Sequence, residues 1–168
     1  IPSNYKELTG DKSAMDAIIC FKTADGKDGF IAIETKYSEN LGTNEASNTD
    51  KAIETIRQLS CFNSDFEERI NKKKTKLTQI YRNFLLSERY GLWIGAESFS
   101  IVLSPELHPS TDNEVFSVTN EMRPEYKGKL QSITLESFTN KLISESPEEY
   151  AEIFRRFRDR YLSFDRVE

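Results

Sequence analysis

The chain has little of what a zinc, membrane or cofactor-binding protein needs. It contains two cysteines and one histidine, with no CxxC pair, which excludes a structural zinc site. No apolar run approaches the roughly 18–20 residues that a membrane helix requires, and the first residues show no signal-peptide pattern. No P-loop, dinucleotide-binding or Ser-His-Asp pattern is present. Without a disulfide pattern, the sequence favours a reduced, cytoplasmic protein.

Positive charge is also scarcer than negative charge. Lys and Arg number 23 against 28 Asp and Glu, so the net charge is −5. This balance argues against coating nucleic acid by charge alone, but it allows an acidic enzyme site that holds a divalent cation. At 168 residues, with 37% hydrophobic and 30% charged residues, the composition is that of one soluble domain. The length predicts that residues 1–168 form a single domain, and because the chain begins at Ile1 we expect this domain to lack its N-terminal helix.

Hydrophobic periodicity predicts the order hairpin, helix, strand, strand, helix. The predicted elements are strands at 14–22, 29–37, 97–104 and 130–135, helices at 51–60 and 72–90, a loop at 40–50, and an irregular segment at 106–128 with one helical turn. The turn sequence ADGKDG between the first two strands is typical of a β-hairpin. Gly91 is predicted to stop the second helix.

The end of the chain predicts one more helix. Ser146 and Glu149 have the spacing of a capping box, with Pro147 at the first helical position. The apolar residues that follow share one helical face, which is expected to join the core: Tyr150, Ile153, Phe154, Phe157 and Tyr161. Together the elements predict an α/β or α+β fold, with a central mixed β-sheet opened by a hairpin and flanked by helices.

Three charged residues, Asp16, Glu34 and Lys36, interrupt the apolar strands of the hairpin. Alternation places Glu34 and Lys36 on one face of their strand. If paired residue numbers sum to an even value near 50 or 52, Asp16 stands opposite Glu34 or Lys36 on that face. Two carboxylates so placed can share Mg²⁺, and the lysine can position the attacking water or stabilise developing negative charge. The alternative is a solvated hairpin face with an ordinary Glu–Lys pair.

The order of Asp16, a hairpin and then Glu34-Thr35-Lys36 resembles the PD-(D/E)XK nuclease superfamily. Within it, the chain is similar to restriction-endonuclease-like proteins whose second strand reads IETKYxE. Two downstream segments resemble the same group, namely the Q-x-x-R-N helix at residues 79–83 and the C-terminal segment RDRYLSFDRV. The resemblance covers residues 13–166.

The resemblance implies a restriction-endonuclease-like fold and hydrolysis of DNA with Mg²⁺ or Mn²⁺. Asp16 and Glu34 would be metal ligands, Lys36 the catalytic lysine, and Gln79 a residue that supports the water or touches a phosphate. A role in restriction or defence is implied, and a homodimer is compatible because many such nucleases cut as dimers. The chain departs from the family pattern in having Met15 before the aspartate instead of proline. It also keeps only Glu7 as a candidate for an upstream acidic residue.

Two basic features are candidate contacts to a nucleic-acid backbone. The first is a run of lysines before the Gln79 helix, at Lys72, Lys73, Lys74 and Lys76. The second is Arg82, which lies on the same helix face as Gln79. The same run is also typical of solvated surface. Two rival functions stay open. One is an inactive module of the same fold that binds nucleic acid or protein, and the other is a structural domain in which the trio is a surface ion pair. A cation that binds only the folded chain would raise its melting temperature and so distinguish them.

Overall fold

In the computed structural model, the described residues are 5–10, 13–38, 50–72 and 77–163. They form four β-strands, which are β1 (Ala17–Lys22), β2 (Asp28–Thr35), β3 (Glu97–Ser104) and β4 (Leu130–Thr134). Their α-helices are α1 (Tyr5–Leu8), α2 (Asp50–Leu59), α3 (Ser64–Asn71), α4 (Gln79–Ile94), α5 (Thr111–Asn120), α6 (Leu135–Glu145) and α7 (Glu148–Tyr161). A 3₁₀ helix spans Pro124–Lys129. Within these ranges no helix is long and apolar enough to cross a membrane.

The strands form one mixed sheet in the order β1-β2-β3-β4. β1 and β2 are antiparallel because a tight turn joins them, in which Thr23 N–H donates to the Lys27 carbonyl oxygen at 2.9 Å. Gly26 has a φ of +84° there, a conformation that favours glycine. β3 runs parallel to β2, and β4 parallel to β3, since helical segments cross over between them.

The two faces of the sheet are covered by different helices. Phe30, Ala32 and Val102 point to one side, which we call the α4 face, and all three are buried. The main core on this side includes the fully buried rings of Phe62, Phe66 and Phe84. On the opposite side, the α6–α7 face, a smaller cluster is formed by Ile33, Leu103, Leu135 and Leu162. The predicted mixed sheet flanked by helices is therefore confirmed, as are the hairpin, β3 and α2.

The prediction that Gly91 ends the long helix is wrong. α4 continues to Ile94, and its C-cap is Gly95, which has a φ of +70° and donates its N–H to the Gly91 carbonyl oxygen. Gly91 instead permits close packing of α4 on β3. A Cβ atom at this position would lie 2.9 Å from the Ala96 carbonyl oxygen and 3.0 Å from the Ser98 side chain.

The chain after α2 is more helical than predicted. The segment predicted as irregular contains α5, while α3 and α6 form where no helix was predicted. α7 begins at Glu148, so Pro147 is its N-cap rather than its first residue, and no side-chain capping bond forms there. The face of α7 that was expected in the core is largely exposed. Ala151, which lies on a different face, is the one buried residue of this helix. Of the predicted loop at 40–50, residues 40–49 lie outside the described residues, and Asp50 is the first residue of α2 instead.

Candidate functional site

The hairpin places Asp16 beside Glu34. β1 and β2 pair Ala17 with Ile33 and Lys22 with Asp28, which is the register expected to bring Asp16 opposite Glu34. Asp16 is also anchored on both sides of Glu34. Its N–H donates to the Ile33 carbonyl oxygen at 3.0 Å, and its Oδ2 accepts from the Thr35 N–H at 2.7 Å. The exposed end of β1 therefore holds one carboxylate next to a second.

The carboxylate of Glu34 is buried and accepts from three side chains. Glu34 is 6% exposed and Lys36 is 8% exposed, and Lys36 Nζ lies 2.6 Å from Glu34 Oε1. Gln79 Nε2 donates to the same oxygen at 2.7 Å. Asn83 Nδ2 donates to Oε2, also at 2.7 Å. Lys36 therefore shares the face of Glu34, as strand alternation predicts.

The first two turns of α4 position the two amide donors. α4 begins at Gln79, and Asn83 follows one turn later, so both side chains project toward β2 from the same helix face. The helix is fixed in place by Ile80 and Phe84, which follow Gln79 and Asn83 in the sequence. Both side chains are buried in the main core. The start of a helix also carries partial positive charge, which favours an anion such as the Glu34 carboxylate.

Burial raises the pKa of Glu34 above its ordinary value, because a desolvated carboxylate is disfavoured. The hydrogen bond and positive charge of Lys36 oppose this effect, and the negative charge of Asp16 reinforces it. The influence of Asp16 on Glu34 is consistent with the short separation that the register gives. Burial is the largest of these influences on the pKa of Glu34, and Lys36 offsets part of it.

The donor set fits a hard divalent cation. Mg²⁺ uses oxygen ligands, often one or two carboxylates completed by water and phosphate oxygens, and Mn²⁺ accepts the same ligands. Asp16 and Glu34 supply two such groups, and Glu34 Oε2 accepts a single described donor, so it retains a lone pair. No cluster of three or more His, Cys, Asp or Glu suited to a metal occurs among residues 5–10, 13–38, 50–72 and 77–163. Asp16 and Glu34 would therefore hold the cation with help from water or substrate.

The predicted nucleic-acid contacts lie in different settings. Lys72 caps the end of α3 and pairs with Glu68. Arg82 lies on α4, half-buried, with its guanidinium 3.5 Å from Ser13 Oγ. Lys73, Lys74 and Lys76 fall outside the described residues, so their predicted role stays a prediction. Glu7, the candidate upstream acid, is exposed on the short helix α1.

Asn83 is a site residue to which the sequence reasoning assigned no role. Its amide belongs to the Q-x-x-R-N segment, but only the fold shows that it donates to Glu34. The available signal was its spacing of four from Gln79, which places two amides on one helical face. An amide pair with that spacing, in a helix that follows an E-x-K strand, is a pattern that sequence analysis can use.

A mixed four-stranded sheet with helices on both faces, opened by a hairpin, is a restriction-endonuclease-like architecture. Residues 2–162 match the model of a family described as "Restriction Endonuclease associating with ARP". Because the match covers most of the chain, the protein belongs to this family. No curated protein and no solved structure matches the chain.

Proposed function

We propose that this chain is a PD-(D/E)XK-type endonuclease that hydrolyses phosphodiester bonds in DNA with Mg²⁺ or Mn²⁺, in restriction or defence. The observation that carries the proposal is the convergence of Asp16, Glu34 and Lys36 at the end of the hairpin, with Asp16 anchored to the backbone on both sides of Glu34. Membership of a restriction endonuclease family supports DNA as the substrate.

Each side chain has a distinct part in this proposal. Asp16 and Glu34 would hold the cation, which when bound would supply charge neutralisation at the phosphate and a more acidic water. Gln79 and Asn83 hold the Glu34 carboxylate in one orientation, so that little reorganisation is needed when substrate binds. Lys36 positions the attacking water or stabilises the negative charge that develops on the phosphate oxygens.

A plasmid-cleavage assay tests the proposal. Supercoiled DNA is incubated with the protein in Mg²⁺ and, separately, in EDTA, and nicked and linear products are quantified. Cleavage should require the cation and fall by about 100-fold or more in Lys36→Met. The matched control is Lys22→Met at the other end of the same hairpin, where the exposed Lys22 pairs with Asp28 at 2.7 Å. This variant should cleave like the wild type.

A thermal melt gives a second readout that does not depend on turnover. Mg²⁺ should raise the melting temperature of the wild type and have a smaller effect on Asp16→Asn, whose side chain is exposed and not needed for the core. Equal cleavage by Lys36→Met and wild type would contradict the assigned site. DNA binding without cleavage would favour the inactive binding module instead.

A further inference from the structure

A groove lies at the outer edge of the sheet, between α5 and β4. It has a volume of about 670 Å³. One wall is a side of α5, and the other is formed by the first residues of β4, which are Leu130, Gln131 and Ser132. β4 is the last strand in the sheet order, so no other described strand pairs with its outer edge. The groove is therefore bounded by a helix and by a strand with a free edge.

Amide and aromatic side chains line this groove. Asn113, Phe116 and Asn120 are spaced by three and four residues, so they share one face of α5. Phe116 is 65% exposed, and both asparagines are exposed. Neither asparagine side chain forms a hydrogen bond with another residue in the described ranges. Gln131 adds a third amide, whose Nε2 donates to the Gly128 carbonyl oxygen at 3.5 Å. The two asparagine amides therefore keep all their donors and acceptors for a ligand.

The chemistry of the groove matches the bases of DNA better than its phosphates. The charged residues among its described lining are Asp112 and Lys127, whose charges cancel. Phosphates are bound largely by basic side chains, whereas base edges are read by hydrogen bonds and apolar contacts. Asparagine and glutamine pair with N6 and N7 of adenine, and phenylalanine can contact the methyl group of thymine. A neutral surface with three amides and an exposed ring therefore favours A·T base pairs.

The sheet register places the groove close to the candidate site. Glu34 pairs with Val102, and Val102 pairs with Ser132, which lines the groove. Neighbouring strands lie about 4.8 Å apart, so Glu34 and Ser132 are separated by about 10 Å across the sheet. Base pairs of DNA rise by about 3.4 Å each, so this separation corresponds to about three base pairs. A duplex bound at Asp16 and Glu34 would therefore reach the groove with nearby bases.

We propose that the face of α5 in this groove enters the major groove of DNA and reads A·T base pairs about three to five base pairs from the cleaved phosphate. Asn113 and Asn120 pair with adenine, and Phe116 contacts the methyl group of thymine. The two asparagines lie about 10 Å apart along the helix, which again corresponds to about three base pairs. This inference rests on the proposed function for its substrate, DNA, but it concerns binding, which is measured without cleavage.

Selection from a pool of duplexes with randomised sequence tests the proposal. The wild type binds the pool in EDTA, which prevents metal-dependent cleavage, and the bound duplexes are sequenced. They should be enriched in A·T pairs, and Asn113→Ala and Asn120→Ala should each reduce the preference at one position by about tenfold. The matched control is Asn140→Ala on α6, an exposed residue that accepts a hydrogen bond from Arg158. This control should keep the full preference, and circular dichroism checks that all variants are folded.

Altered bases in the selected duplex test the individual contacts. Replacing adenine by 7-deazaadenine removes the N7 acceptor and should weaken wild-type binding by about fivefold, with little further loss in the asparagine variant that reads this base. Replacing thymine by uracil removes the methyl group and should weaken binding by the wild type about threefold, but not binding by Phe116→Ala.

The outcomes separate this inference from the proposed function. Selective binding that depends on Asn113 and Asn120, without cleavage in any metal, would support base reading in the groove and contradict the nuclease. No base preference in the wild type would overturn the inference even if the protein cleaves DNA. An unchanged preference in both asparagine variants would also overturn it, and would favour a peptide strand bound at the free edge of β4.

Discussion

The α4 face and the α6–α7 face of the sheet differ in how completely their helices are buried. Nine of the 16 residues of α4 are buried, against one of the 14 residues of α7. The candidate site lies on the α4 face, where a fully packed helix holds Gln79 and Asn83 against Glu34. A tightly packed helix fixes the geometry of the side chains that it carries, while a helix that is buried along little of its surface leaves apolar side chains in contact with water.

The largest expected difference between the two faces is in the effect of shortening a phenylalanine. Phe84 of α4 is 0% exposed, so Phe84→Ala should lower the free energy of unfolding by about 3–5 kcal/mol. Phe157→Ala on α7 should lower it by about 1 kcal/mol or less, because that ring is already partly in water. Urea denaturation at low protein concentration measures both. Similar losses for the two variants would show that α7 belongs to the main core.

A smaller difference is expected for acidic residues on the two faces. Glu34→Ala leaves Lys36 buried without its carboxylate partner and should lower the free energy of unfolding by about 3 kcal/mol. Glu152→Ala removes exposed pairs with Arg155 and Arg156 on α7 and should change stability very little. Thermal and urea unfolding of both variants provide the measurement. A fully tolerated Glu34→Ala would mean that the buried pair adds nothing to folding.

The smallest expected effect is a difference in pH dependence. Burial raises the pKa of Glu34 in the folded chain above its value in the unfolded chain. The folded chain therefore gains stability from protonated Glu34 at pH values below the unfolded pKa. This contribution is lost as the pH rises through the folded pKa. The Glu34→Gln variant does not show this loss of stability, because glutamine does not ionise. Without divalent cations, its stability relative to the wild type should therefore improve as pH rises from about 4 toward neutrality.

Glu152 provides a control of opposite sign for this titration. Hydrogen bonds from Arg156 and Arg155 lower the pKa of Glu152, so its contribution is present above the unfolded pKa and is lost as pH falls. The stability of Glu152→Gln relative to the wild type should worsen as pH rises over the same range. Urea midpoints measured across the range test both variants. The same trend in both would mean that burial does not control the ionisation of Glu34.

Local rules predicted the hairpin and most of the site. Strand alternation and the turn sequence predicted the hairpin and left two even registers, with Asp16 opposite Glu34 or opposite Lys36, and the structure has the first of them. The long helix was predicted from its apolar spacing over residues 72–90, but both its start at Gln79 and its end at Ile94 differ from the prediction. A glycine near the end of an apolar pattern is typical of a helix stop, whereas Gly91 lies inside α4 and leaves room for Ala96 and Ser98, a contact that only the fold shows.

Two other features could not be predicted because the same pattern serves two purposes. The sequence pattern of an apolar helix face is the same whether that face packs on the core or is exposed for contact with another molecule. Only the exposed positions of Ile153 and Phe157 separate the two cases. Similarly, Asn83 carries no charge that would mark it as functional. Its part in holding Glu34 depends on the distance between α4 and β2, which the fold alone determines.

The turn at residues 23–27 limits how this protein can vary in evolution. Surface turns usually tolerate insertions and deletions. Here the turn sets the pairing of the hairpin, so one added or lost residue would shift the register by one and carry Asp16 to the opposite face from Glu34. Related chains are therefore expected to keep the length of this turn and the glycine at position 26, while its other residues vary, although the turn lies at the far end of the hairpin from the site.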